Sequence, residues 1–166
     1  MMKELIVRYL LVPVVVFLSG FFSVLLLPLT LYASYFLLQL FVPVALAENV
    51  LMISSFSFTF IDACAAILAY VLLLILLLVT RDIPFFQGVK MFILGALSIF
   101  ILNILRIIFL VYVYVHYGAD YFAVAHLFLW HIVSTIIVAF LWIALVEYYH
   151  IKAVPVVSDI QEILKK

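Results

Sequence analysis

Charged residues are scarce in this chain. Of its 166 residues, eight are Lys or Arg and eight are Asp or Glu, whereas 72% are hydrophobic. An ordinary soluble domain is about 25% charged and about 45–50% apolar. A water-soluble fold could not bury so large an apolar share, and the balanced charge leaves no basic surface to bind phosphates. The composition therefore excludes a typical soluble domain and argues against a nucleic-acid partner.

Cysteine and metal-ligand clusters are also lacking. Cys64 is the only cysteine, so the chain cannot form an internal disulfide. His126 and His131 are five residues apart, a spacing that suits a shared metal poorly, and no HExxH motif is present. We therefore expect neither a metal site nor another cofactor.

The uncharged sequence is arranged in long apolar stretches. They cover residues 9–27, 30–47, 59–80, 91–115 and 127–149. In lipid a helix satisfies its own backbone hydrogen bonds, and about 20 apolar residues cross the hydrocarbon core. The pattern predicts an all-α, polytopic transmembrane helix bundle with four or five spanning helices, located in the plasma membrane.

Four helix-breaking or polar segments separate these stretches. The expected turns lie at Pro28, at Glu48-Asn49, in the loop 81–90 and at 117–120. No repeat or linker interrupts the chain, so residues 1–166 are predicted to form one integral membrane domain. Its expected parts are N-terminal membrane segments at 1–47, a catalytic-like helical core at 58–149 and a cytoplasmic tail at 150–166.

The tail carries one local signal. Ser158 and Gln161 have the spacing of a capping box, and apolar residues follow at helical intervals. This predicts a short amphipathic helix on the inner membrane surface. A frayed polar tail is the alternative.

The distribution of Lys and Arg predicts the orientation, because short cytoplasmic loops are rich in both. The loop 81–90 and the C-terminal tail are then inside, and the segments 48–58 and 116–126 face outward. Lys3 and Arg8 also favour an inside N-terminus, which conflicts with two complete crossings before the first outward segment. Either the N-terminus is outside with five crossings, or one of the first two stretches is kinked at Pro28 and does not cross fully.

Arg106 lies deep in an apolar stretch, where a charge costs about 2.5–3.5 kcal/mol on insertion scales. At 1.5 Å per helical residue it is roughly 24 Å above Lys90, which marks the inner end of its helix. Cys64 is about 25 Å above Arg81 by the same measure. Because the loop between the two helices is short, we expect antiparallel neighbours with Cys64 and Arg106 at one depth, in the outer half of the bilayer.

Such a pair suits nucleophilic chemistry. The thiolate is the reactive form of cysteine, and a nearby Arg or a helix N-terminus favours it. We expect Cys64 to lie in the first turns of its helix and to have both. Asn103 lies three residues before Arg106 on the same face, where its amide could orient the guanidinium or donate to an oxyanion. Asp62 is a candidate counter-ion or helix cap.

His126 and His131 are the candidate bases, at the outer start of the last helix. His131 is about 28 Å above His150 and His126 about 36 Å, so depth slightly favours His131.

Each of these polar residues also has a structural interpretation. Cys64 could simply pack, since cysteine is often a small buried hydrophobe. Arg106 could pair with Asp62 or Asp120 as a structural bridge.

Taken together, Cys64, the Asn103-to-Arg106 pair and His126 resemble the exosortase and archaeosortase family, in particular its short archaeal members. The resemblance covers about residue 58 to the C-terminus. FIDACAAILAYVLLLILLL resembles the family's cysteine helix, and VKMFILGALSIFILNILRI resembles its NxxR helix. AHLFLWHIVSTIIVAFLW resembles the segment with the third signature residue, which makes His126 the family histidine and His131 the additional one. Many members follow the cysteine with Thr-Gly, whereas Ala65 and Ala66 follow here.

The resemblance implies a membrane-embedded cysteine protease or transpeptidase. Its partners would be exported proteins with a C-terminal sorting signal, which joins a short motif, a transmembrane helix and a basic tail. By this analogy Cys64 is the nucleophile, His126 the general acid and base, and Arg106 stabilises the thiolate or oxyanion, with a lipid head group as the second nucleophile. The site would face outward. The alternative is a non-enzymatic membrane scaffold or transporter subunit with a structural Arg106 bridge.

Overall fold

The computed structural model describes residues 2–17, 19–53, 56–80, 82–130 and 134–151. Within these ranges the chain forms six α-helices and one three-stranded sheet. The helices are α1 (Met2–Phe17), α2 (Ser19–Leu38), α3 (Ile67–Val79), α4 (Phe85–Tyr117), α5 (Ala119–Phe128) and α6 (Ser134–Tyr148). The predicted tail helix and His131 lie outside the described residues.

The sheet corrects the all-α prediction. Strands β1 (Val44–Ala47), β2 (Val50–Ile53) and β3 (Phe56–Thr59) form an antiparallel meander with β2 in the centre. Aromatic and β-branched residues favour such a surface, and β3 alternates Phe with Ser and Thr. The sequence reading missed it because β1 and β2 are almost wholly apolar, so they lack the alternation that distinguishes a strand from a helix.

The predicted turns are confirmed at three of the four places; the predicted loop 81–90 is present but shorter, as residues 82–84 with a φ of 61° at Asp82 separate α3 from α4. Glu48 has a positive φ of 51° in the β1–β2 turn, and Gly118, with a φ of 87°, separates α4 from α5. Pro28 instead lies inside α2, so no turn separates the second stretch there. Lys90 lies inside α4 rather than in a loop, because that helix begins at Phe85.

Two helices are long and apolar enough to cross a membrane, Ser19–Leu38 and Phe85–Tyr117. The other apolar helices are shorter, namely Arg8–Phe17, Ile67–Val79 and Ser134–Tyr148. The number of crossings predicted from hydropathy, four or five, therefore exceeds the number of helices that satisfy the length criterion among the described residues. The difference arises because the apolar stretch 30–47 ends in β1 (Val44–Ala47), and because α3 is shorter than its apolar stretch.

The N-terminal helix runs antiparallel to α3. Arg8 Nη1 donates a hydrogen bond of 3.5 Å to the Thr80 carbonyl at the end of α3, whereas Ser23 Oγ donates to the Asp62 carboxylate just before α3 begins. Arg8 on α1 therefore lies near the C-terminal end of α3, and Ser23 on α2 lies near the turn that precedes α3.

α4 joins the two halves of the core. At about 1.5 Å per residue its 33 residues extend over ~50 Å. Its first half packs with α3 and α6, and Gly95 allows this close approach: an added Cβ would lie 2.5 Å from a Leu73 methyl. Its second half packs with α2 and the sheet through Ile107 and Val111. Asn103 and Arg106 lie between these two regions.

Candidate active site

Cys64 lies in a turn of residues 62–66, the cysteine turn, which precedes α3 and is not part of the helix. The Cys64 N–H donates to the Ile61 carbonyl at 2.8 Å, and the Ala65 N–H donates to the Asp62 carbonyl at 3.1 Å. α3 begins only at Ile67. The expectation that Cys64 occupies the first turns of the helix is therefore wrong, and the backbone around it is held by turn hydrogen bonds.

Two residues of α4 hold this turn. Asn103 Nδ2 donates to the Cys64 carbonyl at 2.8 Å. Arg106 Nη2 donates to the Ala63 carbonyl at 3.1 Å and to the Cys64 carbonyl at 3.3 Å. Carbonyls outside regular secondary structure need partners when buried, and a charged donor satisfies them strongly. The structure thus brings Cys64, Asn103 and Arg106 together at one level of the bundle.

A third contact to Arg106 comes from Ser134, which the sequence analysis did not single out. Arg106 Nη1 donates to Ser134 Oγ at 3.4 Å, and Ser134 Oγ donates to the Leu129 carbonyl at 2.8 Å. Ser134 is the first residue of α6, so this contact holds the beginning of α6 beside the Arg106 guanidinium, which also binds the cysteine turn. The signal available in the sequence was a polar residue at the start of an apolar run, eight residues after His126.

Asp62 is close to Cys64 but is not the partner of Arg106. Its carboxylate accepts the short hydrogen bond from Ser23 Oγ. Among the described residues, the side-chain hydrogen bonds of Arg106 go to the two turn carbonyls and Ser134, and none goes to Asp62 or Asp120. Within these residues, the predicted alternative of a structural salt bridge from Arg106 to Asp62 or Asp120 is therefore not formed. Its Nε atom has no hydrogen-bond partner in this part of the chain.

The Cys64 side chain is half-buried and carries a free thiol. It packs against the apolar cluster that contains Leu31, Phe60 and Ile107. Arg106 contacts the same residue through its backbone carbonyl. The apolar contacts of the thiol favour the packing interpretation, and the guanidinium beside its backbone favours the nucleophilic one.

His126 lies on α5, in a row of stacked rings. Its imidazole is 5.6 Å from the Phe122 ring at an interplanar angle of 12°, and 6.2 Å from the Trp130 ring at 9°. Trp130 in turn lines a cavity that Arg106 also lines. His126 is thus one helical turn from that cavity, and the two flanking rings restrict the rotation of the imidazole.

Two cavities meet at Arg106. The larger, of about 540 Å³, lies between α2 and α6 and is lined along one side by α3 and by Asp62, Ala63 and Ala66 of the cysteine turn, whereas Cys64 itself is not among its lining residues. The smaller, of about 220 Å³, lies between α3, α4 and α6. Arg106, Ala66, Ala69, Ser134 and Val138 line both. The arrangement leaves space for a bound segment on either side of the guanidinium.

Comparison with known protein families identifies the family of this chain. Residues 1–148 match the family described as Transmembrane exosortase (Exosortase_EpsH). The chain belongs to the transmembrane exosortase family. No curated protein and no solved structure matches it. The exosortase part of the sequence resemblance is confirmed, and the match also extends over α1 and α2, which the resemblance read from the motifs did not cover.

Ala66 is the second of the two positions at which this transmembrane exosortase departs from the Cys-Thr-Gly pattern. It has a φ of 54° and a ψ of 36°, in the left-handed region that glycine adopts without strain. Ala65, at the threonine position, is completely buried against Val15 and Val71. The glycine of the pattern thus has a conformational reason, and alanine at 66 carries a left-handed backbone at a cost.

We expect Ala66→Gly to raise the free energy of unfolding by about 1 kcal/mol, because glycine removes the left-handed penalty of an L-residue. Ala69→Gly is the matched control, since Ala69 lines the same two cavities but lies inside α3. There glycine should lower stability by about 1 kcal/mol. Thermal unfolding in detergent measures both, and equal shifts in one direction would contradict the assignment of strain to Ala66.

Proposed function

We propose that this chain is an archaeosortase-like cysteine transpeptidase that cuts C-terminal sorting signals of exported proteins and transfers them to a lipid acceptor. Membership of the transmembrane exosortase family supports an enzyme that processes sorting signals. The proposed catalytic unit is the core at 58–149, with the preceding membrane segments packed against it. In this proposal the site faces outward and the C-terminus is cytoplasmic.

One observation carries the proposal: the only cysteine lies in a turn whose carbonyls are held by the only arginine in the middle of α4. A buried turn of this kind could be held by neutral donors. A guanidinium at membrane depth is costly and marks a functional position by default. Its Nε, which has no partner among the described residues, leaves donor capacity for a reacting group.

In the proposed reaction the Cys64 thiolate attacks the carbonyl carbon of the scissile peptide bond. The tetrahedral oxyanion that forms is stabilised by Arg106, the C–N bond then breaks, and His126 delivers a proton to the leaving amine. The product is an acyl thioester on Cys64. A hydroxyl or amine of the acceptor attacks this thioester, His126 accepts its proton, and the thiolate is released.

The supporting roles follow the contacts. Asn103 is a positioning residue, because its amide donates to the Cys64 carbonyl rather than to a substrate. Asp62 is bound by Ser23 and contributes a negative charge at the edge of the larger cavity. The stacked rings of Phe122 and Trp130 would hold the His126 imidazole in one orientation. His131 stays a sequence-based candidate for the base.

The test is processing of exported proteins from the same genome whose ends join a short motif, an apolar stretch and a basic tail. Each is tagged at its C-terminus and co-expressed with this chain. We expect loss of the tag and retention of the upstream part in the membrane. Full retention of the tag on every such protein, with this chain present in the membrane, would refute the proposal.

A structural role is the second candidate, and one observation favours it. The Cys64 side chain packs against an apolar cluster, and the described hydrogen bonds of Arg106 tie three segments together without any reacting group. In that case the chain is a scaffold or transporter subunit. A membrane-impermeant thiol reagent separates the two: rapid alkylation of Cys64 from the outer face supports the enzyme, and an inert thiol supports the scaffold.

A further inference from the structure

The larger cavity has an unusual lining. Small residues from three segments face it, namely Gly20 on α2, Ala63 and Ala66 in the cysteine turn, and Ala69 on α3. Small residues at a membrane interface allow two helix backbones to approach closely. The lining therefore suits a helix better than a bulky side chain from within the fold.

Gly20 shows that this space is not required by internal packing. A Cβ added there would meet no heavy atom within 4 Å, in contrast to Gly95, where it would meet Leu73 at 2.5 Å. The backbone of Gly20 also lies within a regular helix, where glycine is less favourable than alanine. Neither conformation nor a neighbour within the described residues explains the glycine, whereas an occupant of the cavity would.

The cavity also changes polarity along its length. The end next to the cysteine turn carries Ser23, Asp62 and Arg106. On α3 the lining is apolar away from this end, and Leu72 lies about 9 Å further along that helix at 1.5 Å per residue, although Ser19 of α2 is a polar member of the same cavity. Leu68, on the same wall, is 71% exposed. A segment that changes from polar to apolar over a few residues matches this gradient.

We infer that this cavity docks the transmembrane helix of the substrate at its junction with the polar motif. This rests on the proposed function, since it assigns the place where a sorting signal binds. The apolar helix lies along α3 against Gly20 and Ala69, and the polar junction reaches the turn that carries Cys64. The peptide bond to be cut is thereby delivered to the level of Arg106.

Gly20→Leu adds bulk to the cavity at a place where an added Cβ meets no heavy atom within 4 Å. We expect KM for the tagged substrates to rise at least tenfold, while alkylation of Cys64 stays at the wild-type rate. The free energy of unfolding should stay at or above the wild-type value, because leucine is a better helix former than glycine. Ala139→Leu is the matched control, an exposed small residue on α6 that does not line the cavity. An unchanged KM in Gly20→Leu would overturn the docking site.

Photo-crosslinking tests the occupant directly. A diazirine-bearing amino acid replaces Leu68 in a Cys64→Ala background, which keeps the substrate uncut, and Leu97 on the exposed face of α4 serves as the control position. A covalent link from position 68 to the apolar stretch of the substrate, absent from position 97, supports docking. Equal links from both positions, or links to lipid alone, overturn it.

The two proposals can fail separately. If the wild-type chain leaves every tag intact yet position 68 still links to the substrate helix, docking stands and the transpeptidase does not. If tags are lost but position 68 links only to lipid, the transpeptidase stands and the cavity holds a lipid instead.

Discussion

Cys64→Ala is expected to abolish removal of the C-terminal tag, with a fall in rate of about 10³-fold or more, because it removes the atom that forms the thioester. The fold should persist. The thiol packs at the edge of an apolar cluster, and its loss there costs on the order of 1 kcal/mol. Tag loss in membranes and thermal unfolding in detergent measure the two effects separately.

Ile61→Ala is the matched control for this variant. The Ile61 carbonyl accepts the Cys64 N–H, and the Ile61 side chain is exposed and lines neither cavity. Truncation there removes side-chain atoms beside the turn but leaves the nucleophile in place, so processing should stay within a few-fold of wild type. Full tag removal by Cys64→Ala would eliminate the transpeptidase.

Arg106→Ala is expected to have the second large effect, on activity and on stability together. It leaves the Ala63 and Cys64 carbonyls without their charged donor, and hydrogen bonds to charged groups contribute about 1.5–3 kcal/mol. Processing should fall at least about 100-fold, as for loss of an oxyanion donor. Leu105→Ala, an exposed neighbour on α4, is the control for truncation at this level.

Arg106→Lys separates the catalytic from the structural role. An ammonium keeps the charge and can bind one carbonyl, but it lacks the planar fork that reaches both carbonyls and Ser134. We expect most of the stability to return while processing stays at least tenfold below wild type. Recovery of processing in proportion to stability would instead indicate that Arg106 serves only to hold the turn.

The site itself was predictable in part. Similar helical distances from the loop 81–90 predicted that Cys64 and Arg106 lie at one depth. The hydrogen bonds from Asn103 and Arg106 to the Cys64 carbonyl agree with that prediction. Asn103 was expected beside them, but the direction of its amide toward the Cys64 carbonyl depends on a turn that helical spacing cannot describe. Ser23 and Ser134 were missed, because their partners are distant in sequence and a lone serine in an apolar helix has no distinguishing pattern.

The sequence by itself determined the membrane character, the predominance of helices and the family, because these depend on composition, on the length of apolar runs and on short motifs. Tertiary structure alone decided the sheet, the left-handed backbone at Ala66 and the place of Cys64 before α3. The physical reason is that a strand with two apolar faces and an apolar helix have the same mean hydropathy. Packing between residues far apart in the chain decides which of the two forms, and it also decides which serine binds Asp62 or Arg106.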